Sequence, residues 1–194
     1  MKIVTLLGSP RMSGNSAIIA DRFCETARNL GAETQVFILN KLTYRGCQAC
    51  YACKTSSENC VLIDDLTKVL NAVRQADVLV LATPIYYSDI SSHLKSFIDR
   101  TFSYLTPDFR TSTTKSRLSS GKQLVFIQTQ GNPDPKVFAD FFSRYKSMLQ
   151  YYAFNQTYLI RGCGLTNPED LLAHPEILKL AEDTATRIVT EGKN

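Results

Sequence analysis

No long hydrophobic run occurs in this chain of 194 residues; the longest covers only residues 78–82. A helix that crosses a membrane needs about 18 consecutive apolar residues, so we expect no membrane-spanning segment. Neither sign of charge dominates, because 22 Lys and Arg residues against 18 Asp and Glu residues leave a net charge of +4. The basic residues are spread out, whereas a nucleic-acid-binding surface requires a basic stripe or block. We therefore predict neither a membrane nor a nucleic-acid partner.

Histidine is scarce, and the sequence lacks the histidine-containing motifs of common hydrolytic active sites. His93 and His174 are the only histidines, and neither lies in a Ser-His-Asp or Cys-His arrangement. Asp64 and Asp65 precede an apolar helical face, where an N-cap and a first-turn acid explain them better than a catalytic pair. The sequence thus predicts no catalytic side chain. Because the first residues lack a signal-peptide pattern, we expect a cytoplasmic protein.

Short apolar runs alternate with amphipathic stretches along the whole chain. This alternation is typical of βα units around a parallel sheet. The length indicates a single domain, residues 1–194. Right-handed crossovers place helices on both faces, which predicts a doubly wound α/β fold with a five-stranded parallel sheet. The predicted strands are residues 3–7, 34–39, 78–82, 124–128 and 153–160.

Open parallel sheets bind ligands beyond the carboxyl ends of their strands, so the loops there are candidate sites. The loop after the first strand combines hydroxyl, amide, guanidinium and glycine groups at the start of a helix, where free N–H groups and the helix dipole favour a phosphate. It matches neither the GxGxxG dinucleotide motif nor the nucleoside triphosphate motif. The alternative is a simple turn with an Asn or Ser N-cap. The candidate phosphate ligands are Ser9, Arg11, Ser13, Gly14, Asn15 and Ser16.

Three motifs, taken in order, resemble a known family. They are Gly8-Ser9-Pro10-Arg11 with Gly14-Asn15-Ser16, then Thr83-Pro84-Ile85-Tyr86-Tyr87, then the segment LKSFIDR at residues 94–100. Together they are similar to the NADPH-dependent FMN reductase group of flavodoxin-like proteins, over about the first 130 residues. The resemblance implies a flavodoxin-like fold that binds FMN, with the FMN phosphate in the first loop. It also places Lys95 and Arg100 on the outward face of their helix.

A flavin ring needs flat apolar or aromatic walls and backbone N–H groups at its pyrimidine edge. The loop at residues 83–89, stiffened by a proline, can supply both; the alternative for one of its two tyrosines is packing against the next helix. The resemblance implies that the loop after the fourth strand forms the other side of the pocket, and the alternative there is a plain turn before Pro133. The candidate contacts are Thr83, Pro84, Ile85, Tyr86 and Tyr87 on one side and Thr129, Gln130 and Gly131 on the other.

A cysteine-rich loop at about residues 43–62 contains four of the six cysteines: Cys47, Cys50, Cys53 and Cys60. Three cysteines within seven residues can converge only if the backbone turns around a common centre, as it does around an iron–sulfur cluster. The spacing resembles that of the iron-sulfur flavoproteins, a branch of the same group, and this resemblance implies a 4Fe-4S cluster. The alternatives are metal-free thiols, a zinc site and disulfides. Cys24 is predicted to be a core residue.

These features predict an FMN-dependent oxidoreductase that transfers electrons through FMN and the cluster, with ferredoxin or NAD(P)H as donor and a small molecule as acceptor. No catalytic acid or nucleophile is needed, because the flavin carries the chemistry. The alternatives are an NAD(P)H-dependent FMN or quinone reductase without a cluster and a non-enzymatic electron carrier like flavodoxin. Such carriers are acidic, so the net charge of +4 disfavours a carrier and favours docking to an acidic ferredoxin. The resemblance implies a homodimer or homotetramer.

Overall fold

A computed structural model describes residues 1–192. Its strands are β1 (Lys2–Leu7), β2 (Glu33–Ile38), β3 (Val78–Tyr86), β4 (Asp89–Ile90), β5 (Lys122–Thr129) and β6 (Phe154–Gly162). Five of them form a parallel sheet in the order β2-β1-β3-β5-β6, and the short β4 pairs antiparallel with the end of β3. This order is that of a flavodoxin-like doubly wound sheet. The predicted fold class and all five predicted strands are confirmed.

Helices cover both faces of the sheet. They are α1 (Asn15–Asn29), α2 (Ala52–Thr55), α3 (Asp65–Gln75), α4 (Ser92–Arg100), α5 (Phe141–Gln150) and α6 (Pro175–Glu191), with short 3-10 helices at Leu39–Lys41, Thr101–Tyr104 and Pro168–Ala173. The apolar faces of α1 and α6 pack in one hydrophobic cluster, and those of α3, α4 and α5 pack in another. Within residues 1–192, no helix is long and apolar enough to cross a membrane.

Strand β1 shows why the sheet lies between two helical layers. Its side chains alternate in direction: Val4 and Leu6 belong to the cluster with α3, α4 and α5, while Ile3 and Leu7 belong to the cluster with α1 and α6. All four are buried. A strand that is apolar on both faces is stable only when both faces are covered. The helices cover these faces and leave the carboxyl ends of the strands to the connecting loops.

The structure corrects the predicted loop at residues 83–89. Strand β3 continues to Tyr86 and returns through a tight hairpin to β4. Tyr87 and Ser88 form the turn with φ angles of 49° and 64°, which is the left-handed geometry of a two-residue hairpin turn. Asn and Gly are the usual residues at such positions. Because neither occurs here, no turn motif marks the hairpin in the sequence.

Candidate functional site

The loop between β1 and α1 presents a helix start without a side-chain cap. Gly14 is the N-cap residue of α1, its backbone is extended, and no side chain bonds to the first turn. Ala17 donates its N–H to the Gly14 carbonyl at 2.9 Å, whereas within residues 1–192 the N–H groups of Asn15 and Ser16 have no hydrogen-bond partner. Ser9 Oγ accepts a hydrogen bond from the Arg11 N–H at 3.1 Å, which holds the loop in a tight bend. The alternative of a turn capped by an Asn or Ser side chain is wrong, and the helix start is available to an anion.

Glycine is required where β1 enters this loop. Gly8 donates its N–H to the Ala82 carbonyl of β3 at 2.8 Å. A Cβ atom at position 8 would lie 2.7 Å from Ser91 Oγ and 3.0 Å from Leu94 Cβ. No side chain fits at these distances, so the first loop approaches the start of α4 only because residue 8 is glycine.

A cavity of about 180 Å³ lies beside the α1 start. The loops after β1, β3 and β5 all contribute to it, as expected for a sheet whose strand order reverses between β1 and β3. It is lined by eleven of the fourteen residues predicted from the sequence to contact FMN: Ser9, Arg11, Gly14, Asn15, Ser16, Pro84, Ile85, Tyr86, Thr129, Gln130 and Gly131. Segments far apart in the chain thus meet at one site.

Three residues predicted to contact FMN lie outside the lining of this cavity. Ser13 is exposed in the first loop. Thr83 is buried, and its hydroxyl donates to the Pro84 carbonyl at 2.8 Å and accepts the Ser91 N–H at 3.1 Å. Thr83 therefore ties the β3–β4 hairpin to the start of α4. Tyr87 is fully exposed at the hairpin tip, and neither hairpin tyrosine is buried against a helix.

The loop after β6 also lines the cavity, although the sequence analysis did not predict it. Leu165, Thr166 and Pro168 complete the lining. The Arg11 guanidinium donates to the Thr166 carbonyl at 3.3 Å, which links the first loop to the last. The place of these residues in the sequence could have identified them, because they follow the carboxyl end of a predicted parallel strand.

A buried polar network fixes the loop after β5. The Gln130 side-chain amide donates to the carbonyls of Asn132, Asp134 and Val137. Its side-chain oxygen accepts a hydrogen bond from Arg161 at 2.8 Å. Networks of this kind give a loop one defined shape. Gln130 therefore shapes this wall of the cavity.

One buried side-chain atom of the cavity lining lacks a hydrogen-bond partner among the described residues. Asn15 Oδ1 is buried and has no hydrogen bond within residues 1–192. A buried polar atom without a partner costs about 1–3 kcal/mol. Rotation of the amide by half a turn would present its –NH₂ group instead, which can donate to an anion. The cavity therefore fits a bound polar group such as a phosphate.

A second cavity, of about 470 Å³, is lined by all four cysteines of the cysteine-rich loop. Three of them come from the segment that includes α2, and the fourth comes from the segment that leads into α3. Ala49 and Tyr51 have φ angles of 50° and 58°, so the backbone takes the left-handed conformation twice between the first and third cysteine. Both residues bend the chain sharply between cysteines that line the cavity.

Arg100 lies beneath the cysteine-rich loop, and the prediction that it faces outward is wrong. Its side chain is fully buried and pairs with Asp64, with 2.8 Å between Nη1 and Oδ2. It also donates from Nε to Cys60 Sγ at 2.9 Å and from its Nη atoms to the carbonyls of Arg45 and Leu62. Burial opposes ionisation of Asp64, but the hydrogen bonds from Arg100 and from the Arg45 N–H outweigh burial and lower the Asp64 pKa. Asp64 also caps α3, as predicted.

Two more cations adjoin the cysteine-rich loop. Lys54 Nζ donates to the carbonyls of Phe102 and Leu105 and lies 3.6 Å from Cys53 Sγ. Burial lowers the pKa of Lys54, while the neighbouring Cys53 raises it to a smaller extent. Arg117 donates to the carbonyls of Cys53 and Leu105. Both cations therefore lie against the segment that carries the third cysteine.

The arrangement of the cysteines fits some of the predicted groups better than others. In residues 1–192, no three His, Cys, Asp or Glu side chains lie close enough together to hold a single metal ion. A zinc ion would need its ligands within about 2.3 Å of one point, and no such group is assembled in residues 1–192. The sulfurs that hold a cluster bind different irons and surround a wider space. All six cysteines are free thiols, and Cys24 is buried in the core as predicted.

The sheet order and the cavity beside α1 define a flavodoxin-like α/β protein with a ligand site where the strand order reverses. Residues 1–139 match the family described as NADPH-dependent FMN reductase. The chain belongs to this family, as the sequence motifs predicted. Membership supports FMN as the cofactor.

Several curated relatives of the chain are iron-sulfur flavoproteins, which confirms the predicted resemblance to that branch. One from Archaeoglobus fulgidus is 34% identical over 104 residues, which are 54% of this chain and 47% of that protein. Another, from Methanosarcina thermophila, is 33% identical over 100 residues, 52% of each protein. The chain therefore spans about half the length of the curated relatives it matches.

Solved structures share the fold over nearly the whole chain. An FMN-dependent NADH-azoreductase from Bacillus anthracis, in complex with FMN, has a TM-score of 0.71 at 17% identity and covers 97% of this chain and 99% of its own. An NAD(P)H:quinone oxidoreductase from Methanothermobacter marburgensis has a TM-score of 0.70 at 17% identity, with coverage of 96% and 95%. At such identities the likeness shows the fold alone.

Proposed function

We propose that this protein is an FMN-dependent oxidoreductase that passes electrons between FMN and a 4Fe-4S cluster held by Cys47, Cys50, Cys53 and Cys60. NAD(P)H or ferredoxin is the donor, and a small molecule is the acceptor. The observation that carries the proposal is the pairing of an uncapped helix start beside one cavity with four thiols around another. Family membership supports FMN, and similarity to iron-sulfur flavoproteins supports the cluster.

In this proposal, the FMN phosphate binds at the start of α1. The free N–H groups of the first turn and the hydroxyls of Ser9, Ser13 and Ser16 donate to its oxygens. Arg11 supplies a positive charge at the cavity edge. The Asn15 amide turns its –NH₂ group toward the phosphate and so gains the partner that its side chain lacks.

The β3–β4 hairpin and the loop after β5 would hold the flavin ring between them. Pro84, Ile85 and Tyr86 form one wall, with Thr83 holding the hairpin in place and Tyr87 exposed at its tip. Thr129, Gln130 and Gly131 form the other wall. When bound, FMN would supply both two-electron and one-electron transfer, which would link a nicotinamide donor to a one-electron partner. The chain contributes position and exclusion of water.

The two cavities share no lining residue. Electrons must therefore cross from one site to the other without a common side chain. We infer that the protein is a homodimer or homotetramer in which the cysteine-rich loop of one subunit approaches the flavin of another. Residues 1–194 act as a single FMN-binding domain in each subunit. Unpaired thiols are typical of a reducing compartment, and this is consistent with the cytoplasmic location that we propose.

An absorbance spectrum of anaerobically purified protein, with iron and sulfide analysis, tests the proposal. We expect sharp flavin bands over a broad brown background. Cys53→Ser should remove the background and the iron while the flavin bands remain. Cys163→Ser is the matched control, since Cys163 lies outside the second cavity, and it should change neither. Colourless protein that does not bind added FMN contradicts the flavin site; flavin without iron and sulfide contradicts the cluster.

An NAD(P)H-dependent FMN or quinone reductase without a cluster is the second candidate. The observation that favours it is the absence, within residues 1–192, of three clustered metal-ligating side chains. Rapid reduction of bound FMN by NADPH in iron-free protein would support this candidate. Dependence on ferredoxin, with iron present, would contradict it.

A further inference from the structure

We propose that Arg100 is the positioning residue of the cysteine-rich loop. It fixes Cys60 and both flanks of the loop before any iron binds, and its hydrogen bond to the Cys60 sulfur tunes the potential of the bound cluster. The first part concerns the chain alone. The second part rests on the cluster of the proposed function.

The guanidinium of Arg100 has an acceptor for each of its five N–H donors. Nε donates to Cys60 Sγ at 2.9 Å. Nη1 donates to the Arg45 carbonyl at 2.9 Å and to Asp64 Oδ2 at 2.8 Å. Nη2 donates to the Leu62 carbonyl at 3.1 Å and to Asp64 Oδ1 at 3.3 Å. One side chain therefore joins Arg45, on the N-terminal side of the first cysteine, to the segment that carries the fourth cysteine.

Arg100 can perform this role because its own position is rigid. It is the last residue of α4, whose Leu94 and Phe97 are fully buried in the core. A cation at a helix C-terminus is favoured by the helix dipole, and the paired Asp64 carboxylate offsets the cost of burying the charge. Lysine could not replace it, because an ammonium group lacks the planar fork that reaches five acceptors.

A hydrogen bond to a sulfur that binds a cluster changes the reduction potential of the cluster and also fixes the position of that sulfur. Donors to sulfur, together with nearby positive charge, stabilise the reduced state, which carries one more electron. Arg100 supplies both at Cys60. Lys54 lies farther from its sulfur, at 3.6 Å from Cys53 Sγ. The closer donor is therefore expected to have the larger effect on the potential.

Hydrogen exchange of the cluster-free full chain tests the positioning. In Arg100→Gln and Arg100→Lys, amides of residues 45–64 should exchange at least tenfold faster, while amides of the sheet keep their wild-type rates. Lys122→Gln is the control: Lys122 is also a buried cation that donates to two carbonyls, those of Arg74 and Ala76, outside this loop. If Arg100→Gln fails to fold, Arg100→Lys still tests the proposal, because it retains the charge. Exchange of residues 45–64 at the wild-type rate in a folded Arg100→Lys protein overturns the proposal.

A redox titration followed by electron paramagnetic resonance tests the tuning. After reconstitution, Arg100→Lys should have a more negative midpoint potential than wild type, and Lys122→Gln should not. A purely structural role would lower the iron content and leave unchanged the potential of the clusters that form, which would overturn the tuning. Wild-type protein that takes up no iron overturns the tuning and the proposed cluster together, and hydrogen exchange still decides the positioning.

Discussion

Replacing Gly8 with alanine places one methyl group where the structure has no room for it. The new Cβ would lie 2.7 Å from Ser91 Oγ, 3.0 Å from Leu94 Cβ and 3.3 Å from the Ala82 carbonyl oxygen. Ser91 Oγ caps α4 by accepting the Leu94 N–H, so it cannot turn away without loss of that bond. The backbone of the first loop must therefore shift away from β3 and α4.

We expect Gly8→Ala to lower the free energy of unfolding by about 2 kcal/mol, since an extra methyl in a packed site costs roughly 1–3 kcal/mol. For a chain of this length, a loss of about 2 kcal/mol lowers the melting temperature by roughly 4–8 °C. If the proposed phosphate site is correct, FMN affinity should fall as well, because the shifted loop would move the first-turn N–H groups of α1 away from that site.

Thermal denaturation of FMN-free protein, followed by circular dichroism, measures the loss of stability, and quenching of flavin fluorescence measures FMN binding. Two other glycines serve as controls. A Cβ at Gly46 would meet its nearest atom, Ser96 Oγ, at 3.8 Å, so Gly46→Ala should change neither quantity. Gly31 has φ of +91° and no atom within 4 Å of the new Cβ, so Gly31→Ala should cost about 1–2 kcal/mol through backbone strain alone. A Gly8→Ala protein as stable as Gly46→Ala would refute the steric argument.

Three further predictions concern single side chains. Asp64→Asn leaves the buried Arg100 charge without its partner and should cost about 3 kcal/mol at neutral pH in urea denaturation. Because the Asp64 pKa is lowered on folding, wild type should lose this advantage as pH falls below the unfolded value of about 3.9; a difference that persists at lower pH would contradict the pairing. Ser88 has a left-handed φ of 64°, which glycine adopts without the steric cost of a Cβ atom, so Ser88→Gly should raise the free energy of unfolding by about 1 kcal/mol. An unchanged melting temperature would contradict strain in the hairpin. Cys24→Ala should cost about 1 kcal/mol through a small core cavity without change in iron content, and a loss of iron would show that Cys24 is not merely a core residue.

Local patterns were sufficient for the sheet and for most of the first cavity. Buried strands have short apolar sequences, and the predicted bounds of β1 and β3 lie within a few residues of the observed bounds. The candidate phosphate loop could also be predicted locally, because small hydroxyl residues and glycine at a strand-to-helix junction favour an anion site. Sheet topology then brings such loops to one edge.

Residues whose role depends on distant segments were not predictable. Arg100 occupies an ordinary last-turn position on α4, and nothing near it in the sequence indicates burial. It is buried because the cysteine-rich loop folds over the end of α4 and presents Asp64 and the Cys60 sulfur to it. The contribution of Thr166 from the loop after β6 has the same origin.

The amino-acid sequence alone determined the doubly wound fold, the family and the candidate phosphate loop, since each follows from periodicity or from groups that are neighbours in the chain. Only the tertiary structure decided the β3–β4 hairpin, the site of Arg100 and the fourth loop of the first cavity. These depend on contacts between residues tens of positions apart, and such contacts are set by loop paths that no local pattern specifies.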